Sequence, residues 1–361
     1  MSVGRICIVS VVQKVMHKGV YMKQKKVYLE LLRVLAIVLV IYNHTRSDGY
    51  TLYQNTNNVW TYYSSLVLSI FCKVAVPLFF MISGVTLLGK KETIRIVYLK
   101  RVLRMVLIIL LFTLLQYLRL VRVNPENGFS IVTYLAYCYS GNIIEPYWFL
   151  KSYLSMLLIL PLLRILAQNM KREHFYLLLG IRIMSTLITV IQFRTGYSMN
   201  VTLLTNTDFV FYPLMGYYLD CMELGERKGG WRMAYCCLAT MVLLVFNVII
   251  VTVYYQTNGQ YSEALNTVMG WMVTLLVFMC FKEIRLSDQR VRKFWTQLGE
   301  CTFGLYLIED VVRNQIEKMM PWIRPVCGPM TACLIFVLLS TVTGLVVIWL
   351  VRRLPYVKKL I

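Results

Sequence analysis

Apolar residues in this chain gather into long runs, separated by short polar connections that are mostly basic. A helix needs about 20 mostly apolar residues to cross a bilayer's hydrocarbon core. Windows of that kind fall roughly at 27–46, 66–88, 98–120, 146–167, 174–193, 203–221, 233–255, 264–282, 297–319 and 328–351. The fifth, sixth and ninth contain charges. No long polar insertion interrupts the series and no internal repeat stands out. The pattern predicts an all-α, polytopic membrane bundle of about ten transmembrane helices. Residues 27–361 form the one membrane domain, behind an N-terminal extension at 1–26.

The loops set the orientation. Six Lys or Arg lie in residues 1–26, and Lys90, Lys91, Arg95, Lys100 and Arg101 lie in the 89–101 connection. The 282–293 loop and the tail are basic too, whereas Thr45–Ser65 holds only Arg46 and Gln256–Glu263 holds no Lys or Arg. Basic loops stay on the cytoplasmic side, so both termini are expected there. The short apolar run Ile6–Val12 is followed by no small-residue cleavage site. The first 21 residues read as an overlong start or as an ordinary cytoplasmic extension.

Composition agrees with the pattern. Of 361 residues, 58% are hydrophobic and 15% charged, against about 45–50% and about 25% in soluble domains. A net charge of +21 would suggest nucleic-acid binding in a soluble protein. Its confinement to alternate loops makes it a topology signal instead, so the partner is the lipid bilayer, with no nucleic acid. Ten cysteines show no C-x-x-C spacing and read as small packing residues. With only three histidines, two of them in cytoplasmic segments, no metal site is expected.

The chemistry concentrates in the first window. Arg33 and His44 are eleven residues apart. Eleven helical steps overshoot three turns by only about 20°, which puts both on one stripe about 16 Å apart. An ionisable group at membrane depth costs about 2.5–3.5 kcal/mol even on lenient scales. The imidazole titrates near neutrality and suits a general base; a polar helix–helix contact is the plainer reading. Arg33 reads as a substrate or partner contact, or as an ion pair with Glu30 on its own face.

Further along, Arg101 and Arg104 are three apart at the start of the third window. They face the same way, either as a phosphate clamp aided by a helix N-terminus or as a membrane anchor. Pro77 and Gly84, in Val76-Pro77-Leu78-Phe79-Phe80-Met81-Ile82-Ser83-Gly84, read as packing around a kink. Glu309 and Asp310 both reach Arg313 by helical spacing. Tyr50, Tyr53, Trp60, Tyr62 and Tyr63 crowd the first outer loop, as an interfacial belt or as a platform for sugar rings.

Taken together, Arg33-x10-His44, Phe79-Phe80-Met81-Ile82-Ser83-Gly84, Lys100-Arg101-x-x-Arg104, Trp148-Phe149-Leu150, Tyr212-Pro213-Leu214-Met215-Gly216 and Phe303-Gly304-Leu305-Tyr306-Leu307 resemble the acyltransferase-3 family of integral membrane acyltransferases. The resemblance implies a multi-pass protein of the cell membrane. Such a protein moves an acyl group, usually acetyl, from cytoplasmic acyl-CoA to a hydroxyl of a surface polysaccharide or lipid-linked sugar. It implies a catalytic role for His44, an essential one for Arg33, and acetyl-CoA contacts at Arg101 and Arg104, joined by Lys100 and Ser83. Trp148, Tyr306 and Glu309 are candidate contacts to the carbohydrate acceptor. Where the chain has Glu309, family members often have histidine. His44 would act as a base on the acceptor hydroxyl or carry the acyl group as an acyl-imidazole. The alternative is a transporter or flippase for a sugar or its lipid-linked form, since that class also buries charges in helices. A catalytically silent module of the same fold is a third reading.

Overall fold

The fold comes from a computed structural model that describes residues 26–140, 143–197, 207–222 and 229–354. The N-terminal extension, apart from Lys26, and residues 203–206 of the sixth apolar window lie outside the described residues. Among the described residues there is no strand. The helices are α1 Val27–Asn43, α2 Val59–Leu87, α3 Ile94–Val123, α4 Ile131–Ser140, α5 Glu145–Leu158, α6 Leu160–Gln168, α7 Arg172–Thr195, α8 Asp208–Cys221, α9 Gly229–Asn258, α10 Leu265–Lys282, α11 Gln289–Glu317 and α12 Pro329–Val351. Each apolar window falls on a helix; α4 lies outside them all.

Six helices, α2, α3, α7, α9, α10 and α12, are long and apolar enough to cross a membrane. The bent α5–α6 pair makes a seventh if it counts as one crossing. This is fewer than the ten read from the windows. The 17 residues of α1 and the 14 of α8 are short, and α11 is too polar. Burial explains the difference. Leu32, Ala36, Ile37 and Ile41 of α1 have no exposed surface, because α2, α10, α11 and α12 surround that helix. A helix that faces protein can keep polar groups, provided each finds a partner. By contrast, only 11% of the apolar stretch of α7 is buried, leaving it at the rim.

Two prolines shape the bends. Pro161 opens α6; lacking an N–H and clashing with the preceding turn, it breaks the run, and α5 and α6 meet at 62°. Pro77 cannot bond the Lys73 carbonyl, and α2 tightens into a 3-10 turn at Cys72–Val74 just before it. The helical bonding thus changes beside Pro77, while Val59–Leu87 runs on as one span.

Polar contacts sort the helix ends into two sides. At the first, Lys26 pairs with Asp220 at 2.6 Å, Arg232 with Glu283 at 2.8 Å and Arg352 with Glu300 at 3.0 Å. At the second, Arg324 pairs with Asp48 at 2.8 Å, Arg46 with Glu145 at 3.5 Å and Lys73 with Glu263 at 3.9 Å.

The tightest crossing joins α2 to α8. A Cβ on Gly84 would lie 2.0 Å from the Pro213 carbonyl oxygen, and one on Gly216 would lie 2.4 Å from that of Met81. Each helix thus presses its backbone into the other's glycine. Gly84→Ala is expected to destabilise the protein by about 1–3 kcal/mol through this overlap. Gly180, with nothing within 4 Å of its Cβ position, is the control, and alanine there is expected to be neutral or stabilising. Thermal unfolding of the two variants in detergent checks this; equal midpoints would mean that the crossing is not tight.

Candidate functional site

The two ionisable residues of α1 occupy opposite sides of the bundle. Arg33, toward the first side, donates to both Glu30 carboxylate oxygens at 2.8 and 2.9 Å. The ion pair on its own helix face is therefore present. Glu30 is buried against Gly299 of α11, where a Cβ would meet the Glu30 carboxylate. His44 is the C-cap residue that ends α1, since the helix stops at Asn43 rather than running to 46. Its own N–H still bonds back to the last turn, to the carbonyls of Val40 and Ile41.

A cavity of about 590 Å³ opens on the first side, and Arg33, Ser83, Lys100, Arg101 and Arg104 all line it. So do Glu92, Glu300 and Arg352, with Phe79, Met105, Ile108 and Leu157 forming an apolar wall. Arg101 and Arg104 share this cavity, but the helix N-terminus read beside them is displaced. The helix begins at Ile94, capped by the Thr93 side chain, and Arg101 lies about two turns in. The macrodipole acts within the first turn only, so it adds little at Arg101. A π-helical turn at Val97–Val102 carries Lys100 and Arg101 instead.

Arg101 grips Glu92 with two hydrogen bonds of 2.6 and 2.9 Å, and Arg164 reaches the same carboxylate at 2.8 Å. The Arg101 hydrogen bonds, with help from Arg164, hold the Glu92 carboxyl down at about 2. Arg164 also donates to the Leu87 carbonyl, which ties α6 to the end of α2. The Ser83 hydroxyl donates to the Phe79 carbonyl of its own helix at 2.8 Å and still faces the cavity with its lone pairs.

His44 lines three cavities on the second side. One of about 380 Å³ contains Lys73, Trp148, Arg182, Asp208 and Trp271. One of about 540 Å³ contains Lys73, Glu145 and Trp148. One of about 470 Å³ contains Arg46, Asp48, Arg313 and Arg324. No one of the four cavities holds both His44 and the Arg101–Arg104 pair. The basic cavity and the 380 Å³ cavity instead share Phe149 and Tyr306. These rings meet edge to face, 5.5 Å between centroids. The Tyr306 hydroxyl donates to the Pro146 carbonyl, and that of Tyr147 donates to the Leu307 carbonyl at 3.1 Å. A two-ring septum is thus clamped between α5 and α11.

Glu309 lines none of these cavities. It is 2% exposed, with Oε2 3.2 Å from His44 Nδ1. Arg313 approaches the other carboxylate oxygen at 3.4 Å and bonds Asp310 at 3.1 Å, so both acidic residues reach it as their spacing predicted. Arg313 also donates to the His44 main-chain carbonyl at 2.5 Å. Asp310 in turn accepts from Arg119 of α3 at 2.7 Å and from Asn314 at 3.2 Å.

The aromatic loop after α1 divides. Tyr50 and Tyr53 are buried, Tyr50 at the wall of the 540 Å³ cavity with Lys73 over its ring, and Tyr53 edge-on to Tyr62 and Tyr261 and accepting from Asn266. Trp60 is 86% exposed. Trp148, at the start of the helical turns after Glu145–Tyr147, presents its ring to two of the His44 cavities. Glu92, Arg164, Lys73, Arg182, Asp208 and Arg352 were not singled out in the sequence. Arg164, Arg182 and Lys73 carried a signal nonetheless, as lone charges within apolar runs. Glu92 carried none, being one acid in a basic loop. Nine cysteines are free among the described residues, and no group of three or more His, Cys, Asp or Glu among them is placed to hold a metal ion.

No curated protein and no solved structure matches the chain. The sequence pattern of Acyl_transf_3, an acyltransferase domain, matches residues 26–353, nearly its whole length, and the chain belongs to that family of acyltransferases.

Proposed function

We propose that the protein is an O-acyltransferase of the cell membrane that moves an acyl group, acetyl, from cytoplasmic acyl-CoA to a hydroxyl of a cell-surface or lipid-linked carbohydrate. The observation that carries this reading is the meeting of two cavity systems at Phe149 and Tyr306. One is rich in arginine and lysine; the others are lined by the histidine.

The donor side follows from charge. Lys100, Arg101 and Arg104 suit the phosphates of acetyl-CoA, and Arg33 and Arg352 add to the field. The apolar wall suits the arm that carries the thioester toward the septum. Movement of the Phe149 and Tyr306 side chains would join the two spaces. On the far side, Trp148 offers a ring face to a sugar, and Tyr306 a ring edge. In the transfer step the acceptor hydroxyl oxygen attacks the thioester carbonyl carbon while His44 takes its proton. The C–O bond forms, the C–S bond breaks, and the CoA thiolate leaves and takes up the proton held by His44.

In this reading the first side is cytoplasmic, as its basic loops require. The α5–α6 pair, α1, α8 and α11 then cross alongside the six apolar helices. That gives ten crossings with both termini, and the 1–26 extension, in the cytoplasm. Helices α1, α8 and α11 can do so because the other helices shield them from lipid.

Membranes given labelled acetyl-CoA are expected to place label in a carbohydrate fraction. His44→Ala is expected to lower this at least about 10²-fold, the usual minimum for losing a general base, while the folded protein stays in the membrane. Full incorporation by that variant would end the reading, and carbohydrate translocation without label would favour a transporter. Arg104→Ala and Arg101→Ala are each expected to raise the apparent KM for acetyl-CoA about tenfold, the worth of a charge-assisted bond of 1.5–3 kcal/mol. Arg101→Ala also strips Glu92 of a guanidinium, so the two variants are read together. An unchanged KM in both would leave the pair as membrane anchors.

A further inference from the structure

We infer that Glu309 is the positioning residue of His44: its carboxylate holds the imidazole in the Nδ1–H tautomer and leaves Nε2 as the atom that takes the acceptor proton. The role in turnover rests on the acyltransferase reading above; the tautomer does not.

The argument begins with donor and acceptor roles. A carboxylate only accepts, so the 3.2 Å contact between Oε2 and Nδ1 requires the proton on Nδ1. A neutral imidazole carries one N–H, so Nε2 keeps its lone pair. Burial separates the two ring edges. Glu309 is 2% exposed and lines no cavity, whereas His44 lines three. The Nδ1 edge therefore faces the protein, and the remaining ring edge is the one that can meet a ligand. Had Glu309 been an acceptor contact, it would need to reach a cavity.

The carboxylate has a charged neighbour. Arg313 Nε lies 3.4 Å from Oε1 as an ion pair without a hydrogen bond, and Arg313 donates to the His44 main-chain carbonyl. One guanidinium thus holds the backbone that carries the ring and faces the carboxylate that orients it. Asp310 holds Arg313, and Arg119 of α3 holds Asp310. The two guanidiniums and two carboxylates of this cluster cancel. The positive charge that His44 gains during transfer then sits beside the Glu309 carboxylate, an arrangement that stabilises an imidazolium as it forms.

The chain has three histidines, His17, His44 and His174, which permits a direct test. In protein carrying His17→Gln and His174→Gln and labelled with 15N-histidine, every ring signal comes from His44. The 15N shifts of the neutral ring in detergent micelles are expected to report the Nδ1–H tautomer. Adding Glu309→Ala is expected to release the ring to the Nε2–H form that free imidazole side chains favour. Nε2–H in the parent overturns the inference even if the Ala variant fails to fold, and so does one tautomer shared by both. In the transfer assay, Glu309→Ala is expected to lower kcat about 10²-fold with the KM for acetyl-CoA unchanged. Glu309→Gln, whose amide oxygen still accepts from Nδ1, is expected to retain more of the rate. In a His44→Ala background, Glu309→Ala is expected to cost nothing further. Full activity in His44→Ala would sink the enzymatic reading and leave the tautomer standing, whereas the wrong tautomer with an inactive His44→Ala would sink only the role of Glu309.

Discussion

A charge surrounded by hydrocarbon must find a partner, and this bundle is organised around the two places where α1 meets that demand. Near one end Arg33 closes on Glu30 within a single turn. At the other, His44 is held by Glu309, and Arg313 grips the main chain that ends the helix. Neither arrangement would survive on a helix facing lipid. The central position of α1, sheathed by α2, α10, α11 and α12, is what allows 17 residues with an arginine and a glutamate, capped by a histidine, to be stable there.

The same constraint separates the proposed donor and acceptor spaces. Basic residues on α3 and α12 gather around a cavity on the first side, each of Arg101 and Arg352 balanced by a glutamate. Polar groups on the second side surround His44. Between them stand Phe149 and Tyr306, edge to face, with the Tyr306 hydroxyl satisfied by the Pro146 carbonyl. These two rings stand between the two charged cavities. In the acyltransferase reading they also mark the place where a thioester and a hydroxyl would meet.

Arg33 and His44 show how far helical geometry reaches. Their spacing placed them on one stripe, but the helix stops at Asn43 and about 16 Å of rise sets them against different cavities. The Glu309–Asp310–Arg313 spacing foretold an ion pair and was right, because i,i+3 and i,i+4 neighbours on one helix meet whatever surrounds them. The same spacing was silent about His44, 265 residues away in sequence. Arg101 and Arg104 were correctly read as facing one way. Their place relative to the helix start was not, because Thr93 caps the helix earlier than the apolar run begins.

Sequence alone determined the membrane character, the helices under every apolar window and the basic loops, since each depends on composition or on local periodicity, and it carried the motifs by which the chain resembles its acyltransferase family. Tertiary structure decided which helices are shielded well enough to be short or charged, and that Gly84 and Gly216 each receive the other helix's backbone. It also decided that Glu309 serves His44 and that two rings divide the cavities. These outcomes depend on residues far apart in the chain being pressed together by packing and by the pairing of buried charge, and no local pattern encodes which partner each will find.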